Sequence, residues 1–329
     1  MDDKMLIDES DMKSILEKFP DMIKESLNLA GDLAVDRDKK SVCVTGMGGS
    51  AFSGDLLKAY LEEIEIPIFV NKTYTLPKHI DRNSLVFAVS YSGNTEETIS
   101  SYRNAIKKGI KPIAISSGGK LRKLSEINEN PFIKIPEGYP PRLSTPFLFF
   151  PMLSVLENSG IIKSRDNAIN MTIDSIRSAD YKERAKIIAQ RMKDKIPIIY
   201  SSMKNFCVAE KWKTDINENA KAMAFYNMFP EFNHNEICAY TNIVGDYFVL
   251  IIKDEKDHER VKKRIKIIKE LIKKRGIHVM EIAIRGEHYL SRLLSPLYLG
   301  LWVSYFLALE YETDPTPVKI IEDLKKELS

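Results

Sequence analysis

The chain has 329 residues, 44% of them hydrophobic and 29% charged, enough for two domains of ordinary size with substantial cores. Its net charge of +3 makes no electrostatic case for nucleic acid. Three isolated cysteines, Cys43, Cys207 and Cys238, have neither disulfide-framework nor zinc spacing, which fits a reducing cytoplasm.

The acidic start, Met1-Asp2-Asp3-Lys4, lacks a signal-peptide layout. The first ~35 residues read as one or two lead-in helices, with Ser10 and Pro20-Asp21 as start signals. An alternation of strands and helices follows. Expected strands are Val42–Thr45, Ile66–Val70, Leu85–Ser90 and Lys111–Ser116, with an edge strand within Pro131 to Pro136. Helices are expected over Ser53–Leu61 and Glu96–Lys108. Pro140-Pro141-Arg142 makes a stiff turn, and Thr145-Pro146 opens an apolar helix, with Thr145 as N-cap and Pro146 at the first helical position.

A polar stretch, Lys163 to Lys195, leads to a second alternation. Its strands are Ile196–Ser201, Asp246–Ile252 and Ile277–Ala283. Its helices are Asn205–Lys221, Lys256–Lys274 and Glu287–Glu310. The basic segment Lys262 to Arg275 carries isoleucines at helical spacing and reads as a solvated helix face. The apolar run Leu293 to Leu309 sits at the lower edge of membrane-spanning length. It holds Ser295-Pro296, a natural helix start, and reads as a buried core or interface helix rather than a membrane span. The expected class is therefore α/β, with two tandem doubly wound units, parallel sheets and flanking helices. The expected division is 1–160 and 161–329, with no clear residue-level repeat between the halves.

Two corners carry the chemistry of the first half. Gly46-Met47-Gly48-Gly49-Ser50-Ala51 follows the first strand, and Ser90-Tyr91-Ser92-Gly93-Asn94-Thr95 follows the third. A strand-loop-helix corner aims backbone N–H groups and a positive helix end at an anion. Glycines allow close approach, and hydroxyls add donors. Two such corners make a phosphate cradle, and the serines favour a sugar phosphate monoester. The first corner also fits G-x-G-x-x-G/A, but the strand that should end in an acidic residue runs into Asn71, which disfavours a dinucleotide. No His/Cys/carboxylate cluster has metal-ligand spacing, so neither a metal nor any other cofactor is expected.

In the second half, Glu218 lies in Asn217-Glu218-Asn219-Ala220-Lys221, and His234 in Asn233-His234-Asn235-Glu236-Ile237, 16 residues on. A loop carboxylate and a loop imidazole suit aldose–ketose isomerisation. Alone, either would be an ordinary surface residue.

Together these words resemble a known family. Both corners match the phosphate site of the sugar isomerase (SIS) domain, a flavodoxin-like unit. The tandem halves are similar to the double-SIS phosphoglucose isomerase superfamily. Asn-Glu-Asn-Ala-Lys, Asn-His-Asn-Glu-Ile, Pro140-Pro141-Arg142 and Asp314-Pro315-Thr316-Pro317-Val318 followed by Leu324-Lys325 look like the bifunctional phosphoglucose/phosphomannose isomerases, essentially end to end. The resemblance implies that Gly48, Gly49, Ser50, Ser90, Ser92 and Thr95 hold a sugar 6-phosphate. It implies Glu218 as general base and acid, and Arg142 as electrostatic partner of a cis-enediolate. His234 and Lys325 would assist ring opening, with Lys319 and Lys326 near Lys325 as alternatives. Thr316 would give room for C2–C3 rotation, and so for both C2 epimers. It also implies a homodimer in which His234 comes from the neighbouring subunit. A non-catalytic sugar-phosphate sensor, or an isomerase or synthase of another phosphosugar, is the alternative.

Overall fold

The computed structural model describes residues 7–284 and 286–328. Its elements in chain order are α1 (Met12–Glu17), α2 (Phe19–Ser26), β1 (Ser41–Thr45), α3 (Gly48–Tyr60), β2 (Ile68–Asn71), β3 (Ser84–Val89), α4 (Glu96–Lys107), β4 (Ile113–Ser116), α5 (Gly119–Ile127), β5 (Phe132–Lys134), α6 (Thr145–Asn158) and α7 (Asp166–Ser178). They continue as α8 (Tyr181–Met192), β6 (Ile196–Ser202), α9 (Phe206–Asp215), β7 (Phe225–Phe229), β8 (Tyr247–Lys253), α10 (Glu259–Lys273), β9 (His278–Ala283), α11 (Tyr289–Glu310) and α12 (Lys319–Glu327). Two compact units divide the chain. The first is Lys18–Asn167. The second is the segment through Glu17 together with everything from Ala168 on. The expected division at 160/161 thus compares with one at 167/168, and with a lead-in helix, α1, counted among the residues of the far half.

In the first unit, five parallel strands run in the order β2-β1-β3-β4-β5. β1 and β3 are buried along their whole length. That is why they read as unbroken apolar runs rather than alternating ones. The chain reverses its direction of travel across the sheet between β1 and β3, which pair directly. This switch point places the loops after β1 and β3 side by side at the strand carboxyl ends. α3 starts at Gly48, not at the expected Ser53, so the glycine loop itself forms the first helical turn. In α6 the N-cap position is Ser144, and Thr145 and Pro146 both lie inside the first turn.

The second unit repeats the plan with four parallel strands, β7-β6-β8-β9. β7 has no counterpart among the expected strands. Its residues, Phe225 to Phe229, form the sheet edge against β6. α11 runs continuously through Pro296, beginning at Tyr289, so Ser295-Pro296 is not its start. The helix is long and apolar enough to cross a membrane, but 89% of its apolar window is buried inside the protein. α9 packs on it closely: Trp212 Nε1 donates to the Pro296 carbonyl at 2.7 Å. A Cβ at Gly300 would lie 2.4 Å from that same indole nitrogen, so glycine is needed there. α10 buries Ile265, Ile268 and Ile272 and leaves Lys263 and Lys266 exposed, as its periodicity predicts.

Candidate functional site

The first unit gathers the expected phosphate residues with Arg142. Met47 is extended before α3, and Gly48 adopts φ +51°, turning the chain into the helix. Ser50 is buried in that first turn, and its Oγ accepts from the Tyr91 amide at 3.2 Å. This bond ties the first corner to the second. There, the hydroxyls of Ser90 and Thr95 are 2.8 Å apart. Thr95 occupies the N-cap position of α4, without a side-chain cap bond, and Glu96 and Glu97 follow in its first turn. The Asn94 amide donates to Ser92 Oγ at 3.2 Å, and Ser92 itself is exposed. The corner therefore combines the N-termini of α3 and α4 with hydroxyls from Ser50, Ser90, Ser92 and Thr95. Free N–H groups at helix starts, with aligned peptide dipoles, favour a dianionic group.

A third corner supports it, which sequence reasoning did not single out. After β4, Ser116-Ser117-Gly118-Gly119 folds against the second loop. The Lys120 amide donates to Asn94 Oδ1 at 3.0 Å, and the Leu121 amide to the Gly93 carbonyl at 2.8 Å. A Cβ on Gly93 would sit 1.9 Å from the Gly118 carbonyl oxygen. The signal for this corner was present as the Gly118-Gly119 pair just after an expected strand.

Arg142 lies in the short 3-10 turn Pro141–Leu143 and is buried, at 3% exposure. Its backbone presses on the glycine corner. A Cβ on Gly49 would come within 2.8 Å of the Pro141 carbonyl oxygen and 3.2 Å of Arg142 Cα. The glycine corner and the turn bearing Arg142 are thus one packed assembly. Tyr91, whose hydroxyl accepts from the Tyr139 amide at 2.7 Å, fastens the chain leading into that turn. Burial raises its phenol above the ordinary range, keeping it neutral. At the strand end where a dinucleotide site would hold an acidic residue, Asn71 is buried and donates to Thr45 Oγ1 and Ser101 Oγ at 3.2 and 3.1 Å.

The second unit carries Glu218, His234, Thr316 and Lys325. The expected helix over Asn205–Lys221 changes pitch. α9 ends at Asp215, and Ile216–Ala220 winds on as a π-helical turn. Such turns insert a residue and re-aim the side chains they carry. Glu218 stands on it, half-buried. One helical turn before it, Lys211 and Asp215 form a buried ion pair. One residue after it, Asn219 Nδ2 donates to Ser304 Oγ of α11 at 2.9 Å. Lys221 then closes the segment at φ +53°. Its ammonium donates to the carbonyls of Asn219, Asp314 and Pro315 at 3.1, 2.8 and 3.1 Å. The structure thereby joins the Glu218 segment to the turn that carries Thr316, whose amide donates to Asp314 Oδ1 at 2.9 Å.

His234 ends the 3-10 turn Glu231–His234 after the cis Phe229–Pro230 bond, and it is exposed. Its loop is anchored by Glu236, a role not foreseen from the sequence. Glu236 Oε1 accepts from the Tyr200 hydroxyl, and Oε2 from Asn227 Nδ2, each at 2.5 Å. Tyr200 stands on β6 and Asn227 on β7, so both strands hold the loop. Lys325 lies on α12, no residue of which is buried; Lys319 begins that helix and Lys326 is its next residue. Among the described residues, no three His, Cys, Asp or Glu side chains gather in a way that could hold a metal ion.

Comparison with known proteins places a separate family match in each half of the chain. The SIS domain family matches residues 37–129, and the family described as bacterial phospho-glucose isomerase C-terminal SIS domain matches residues 181–328. A hypothetical protein of Thermus thermophilus shares the fold, with a TM-score of 0.75 and 15% identity over 95% of this chain and 90% of its own. A D-glucosamine-6-phosphate 4-epimerase of Sulfolobus acidocaldarius is 32% identical over 73% of this chain and 76% of its own length. A bifunctional phosphoglucose/phosphomannose isomerase of Caldicellulosiruptor bescii is 39% identical over 94% of this chain and 97% of its own length. With a likeness of that depth running nearly end to end through both units, the chain belongs to the family of bifunctional phosphoglucose/phosphomannose isomerases.

Proposed function

We propose that this protein interconverts glucose 6-phosphate and mannose 6-phosphate with fructose 6-phosphate, without a metal, through a cis-enediolate. The observation that carries the reading is the packing of Gly49 on Arg142 within a corner built from two helix N-termini and four hydroxyls. It offers a dianion anchor and a fixed cation in one rigid piece.

The reaction then follows from the residues. Gly48, Gly49, Ser50, Ser90, Ser92 and Thr95 hold the 6-phosphate, which positions a reacting centre four carbons away. His234 and Lys325 move protons at the ring oxygen and the anomeric hydroxyl to open the sugar. Glu218 takes the C1 proton of open-chain fructose 6-phosphate, and the electron pair forms the C1–C2 double bond while the carbonyl oxygen becomes anionic. Arg142 stabilises that oxygen. The O1 proton passes to O2 and C1–O1 becomes the new carbonyl as Glu218 returns its proton to C2, and the face on which that proton arrives decides the epimer. Thr316 leaves room for rotation about C2–C3, so that one carboxylate serves both faces. We place His234 across a homodimer contact from the Glu218 of its neighbour. Cys43, Cys207 and Cys238, none of them in a disulfide, suit a cytoplasmic enzyme.

A second reading is favoured by one relative, the glucosamine-6-phosphate epimerase, which is 32% identical over 73% of this chain. The deciding experiment is a coupled assay of purified, EDTA-treated protein on fructose 6-phosphate, with glucosamine 6-phosphate as a parallel substrate. Formation of both glucose and mannose 6-phosphate supports the proposal. Turnover of glucosamine 6-phosphate alone replaces it. Activity lost to EDTA and restored by a divalent cation overturns the metal-free step.

A further inference from the structure

We propose that Lys221 is a positioning residue that sets the balance between the glucose and mannose reactions, through its hold on the turn bearing Thr316. This rests on the roles given above to Glu218 and Thr316. Lys221 stands at the end of the π-helical segment in a left-handed conformation that side chains other than glycine rarely adopt. From there its ammonium reaches three carbonyl oxygens: that of Asn219, and those of Asp314 and Pro315. An ammonium carries three donors, and three carbonyls converge on this one. Two of the three acceptors are the residues directly before Thr316. Bonds from a charged donor are the stronger kind.

The segment carrying Glu218 has its own, separate fastenings. Asn219 Nδ2 is bonded to Ser304 of α11, and Asn217 Nδ2 donates to the Ala222 carbonyl at 2.8 Å. Lys221 holds the turn bearing Thr316 across the sequence, and the Thr316 amide bonds Asp314 within it. Two of the three carbonyls the ammonium holds belong to the turn and one to the Glu218 segment, so its loss loosens the turn more than the base. The distinction has a kinetic signature. Glu218 serves both epimers, so a displaced base lowers both rates by one factor. A displaced Thr316 alters the rotation that only one of the two products needs, and so changes their ratio.

The test compares wild type, Lys221→Met, Lys221→Arg and Ser304→Ala, each checked for folding by circular dichroism. Formation of glucose 6-phosphate and of mannose 6-phosphate from fructose 6-phosphate is measured separately. Wild-type formation of both products establishes the underlying reading independently of any variant. Lys221→Met should then lower the kcat for mannose 6-phosphate about tenfold more than that for glucose 6-phosphate, as expected for losing charge-assisted bonds, with KM nearly unchanged. Lys221→Arg should recover part of the ratio. Ser304→Ala should lower both rates together. An equal fall in both products for Lys221→Met, or no change in their ratio, overturns the inference while leaving the function in place. If Lys221→Met does not fold, Lys221→Gln gives the same readout with a shorter polar chain.

Discussion

The carboxyl ends of the two sheets are built on one plan and carry opposite kinds of side chain. In the first unit, the corners after β1 and β3 carry Gly48, Gly49, Ser50, Ser90, Ser92 and Thr95. In the second, the corners after β6 and β8 carry Ser202, Asn205, Asp254 and Asp257, all of them buried. Asp254 takes Arg292 Nε of α11 at 3.1 Å and the Lys256 amide at 2.9 Å. Asp257 is bonded to Ser202, and burial raises its carboxyl above the ordinary range. A phosphate entering there would meet carboxylates in place of hydroxyls and free amides. The corner alone, then, does not make an anion site. Its side chains decide, and in the second unit they fasten helices, while the proposed base, Glu218, stands one helix length on, in the π-helical turn.

The comparison can be broken or sharpened by mutation. Glu218→Gln should have the largest effect, a fall in kcat of about a thousandfold for both epimers with KM little changed, because a general base is removed and the anchor kept. Retained turnover in the coupled assay would take the base role from Glu218. Gly49→Ala comes next. Its methyl would press on Pro141 and Arg142, at a cost of about 1–3 kcal/mol of stability seen in the melting temperature. Both KM and kcat should suffer, since anchor and cation move together. An unchanged enzyme would mean that the corner gives way freely.

Ser92→Ala should mainly raise KM, by about tenfold if one phosphate hydrogen bond worth roughly 1.5 kcal/mol is lost. Steady-state kinetics that show no change would remove Ser92 from the cradle. The smallest effect is expected at the acidic corner. Asp257→Asn should leave both kinetic constants alone and act on stability only. A carboxyl raised in the folded state binds its proton more tightly there than in the unfolded chain. Its contribution is therefore full below the ordinary carboxylate range and lost as the pH rises through the raised value. The asparagine variant should escape that loss, so its advantage in melting temperature should grow from pH 4 to neutrality. A KM shift in this variant would mean that the second corner also handles substrate.

What was legible in the sequence is what is local. The glycine and hydroxyl corners announce themselves within six residues, and the continuous apolar strands β1 and β3 need no partner to be recognised. The features that escaped depend on distant contacts. Phe225–Phe229 is short, centred on an asparagine, and becomes a strand by pairing with Ile198–Ser202. Asn205–Lys221 has an unbroken helical pattern, and the shift to π pitch at Ile216 goes with tethers to Ser304 and to the Asp314–Pro315 turn, both some 85 to 94 residues away. The anchoring role of Glu236 requires Tyr200 and Asn227 to be neighbours. The separate resemblance of the Asn-Glu-Asn and Asn-His-Asn words supplied what periodicity could not, namely which carboxylate and which imidazole to single out.

The indole seated under Pro296 has a practical consequence. The chain's two tryptophans, Trp212 and Trp302, both belong to the second unit and are both fully buried, while Lys18–Asn167 contains none. Intrinsic emission excited at the indole band is thus a spectroscopic label for one half of the molecule, installed without engineering. A denaturation followed in parallel by emission and by far-ultraviolet circular dichroism separates the fate of the unit that carries Glu218 from that of the unit that carries the phosphate corner. Coincident curves would identify a single cooperative transition, and displaced ones would rank the two halves by stability.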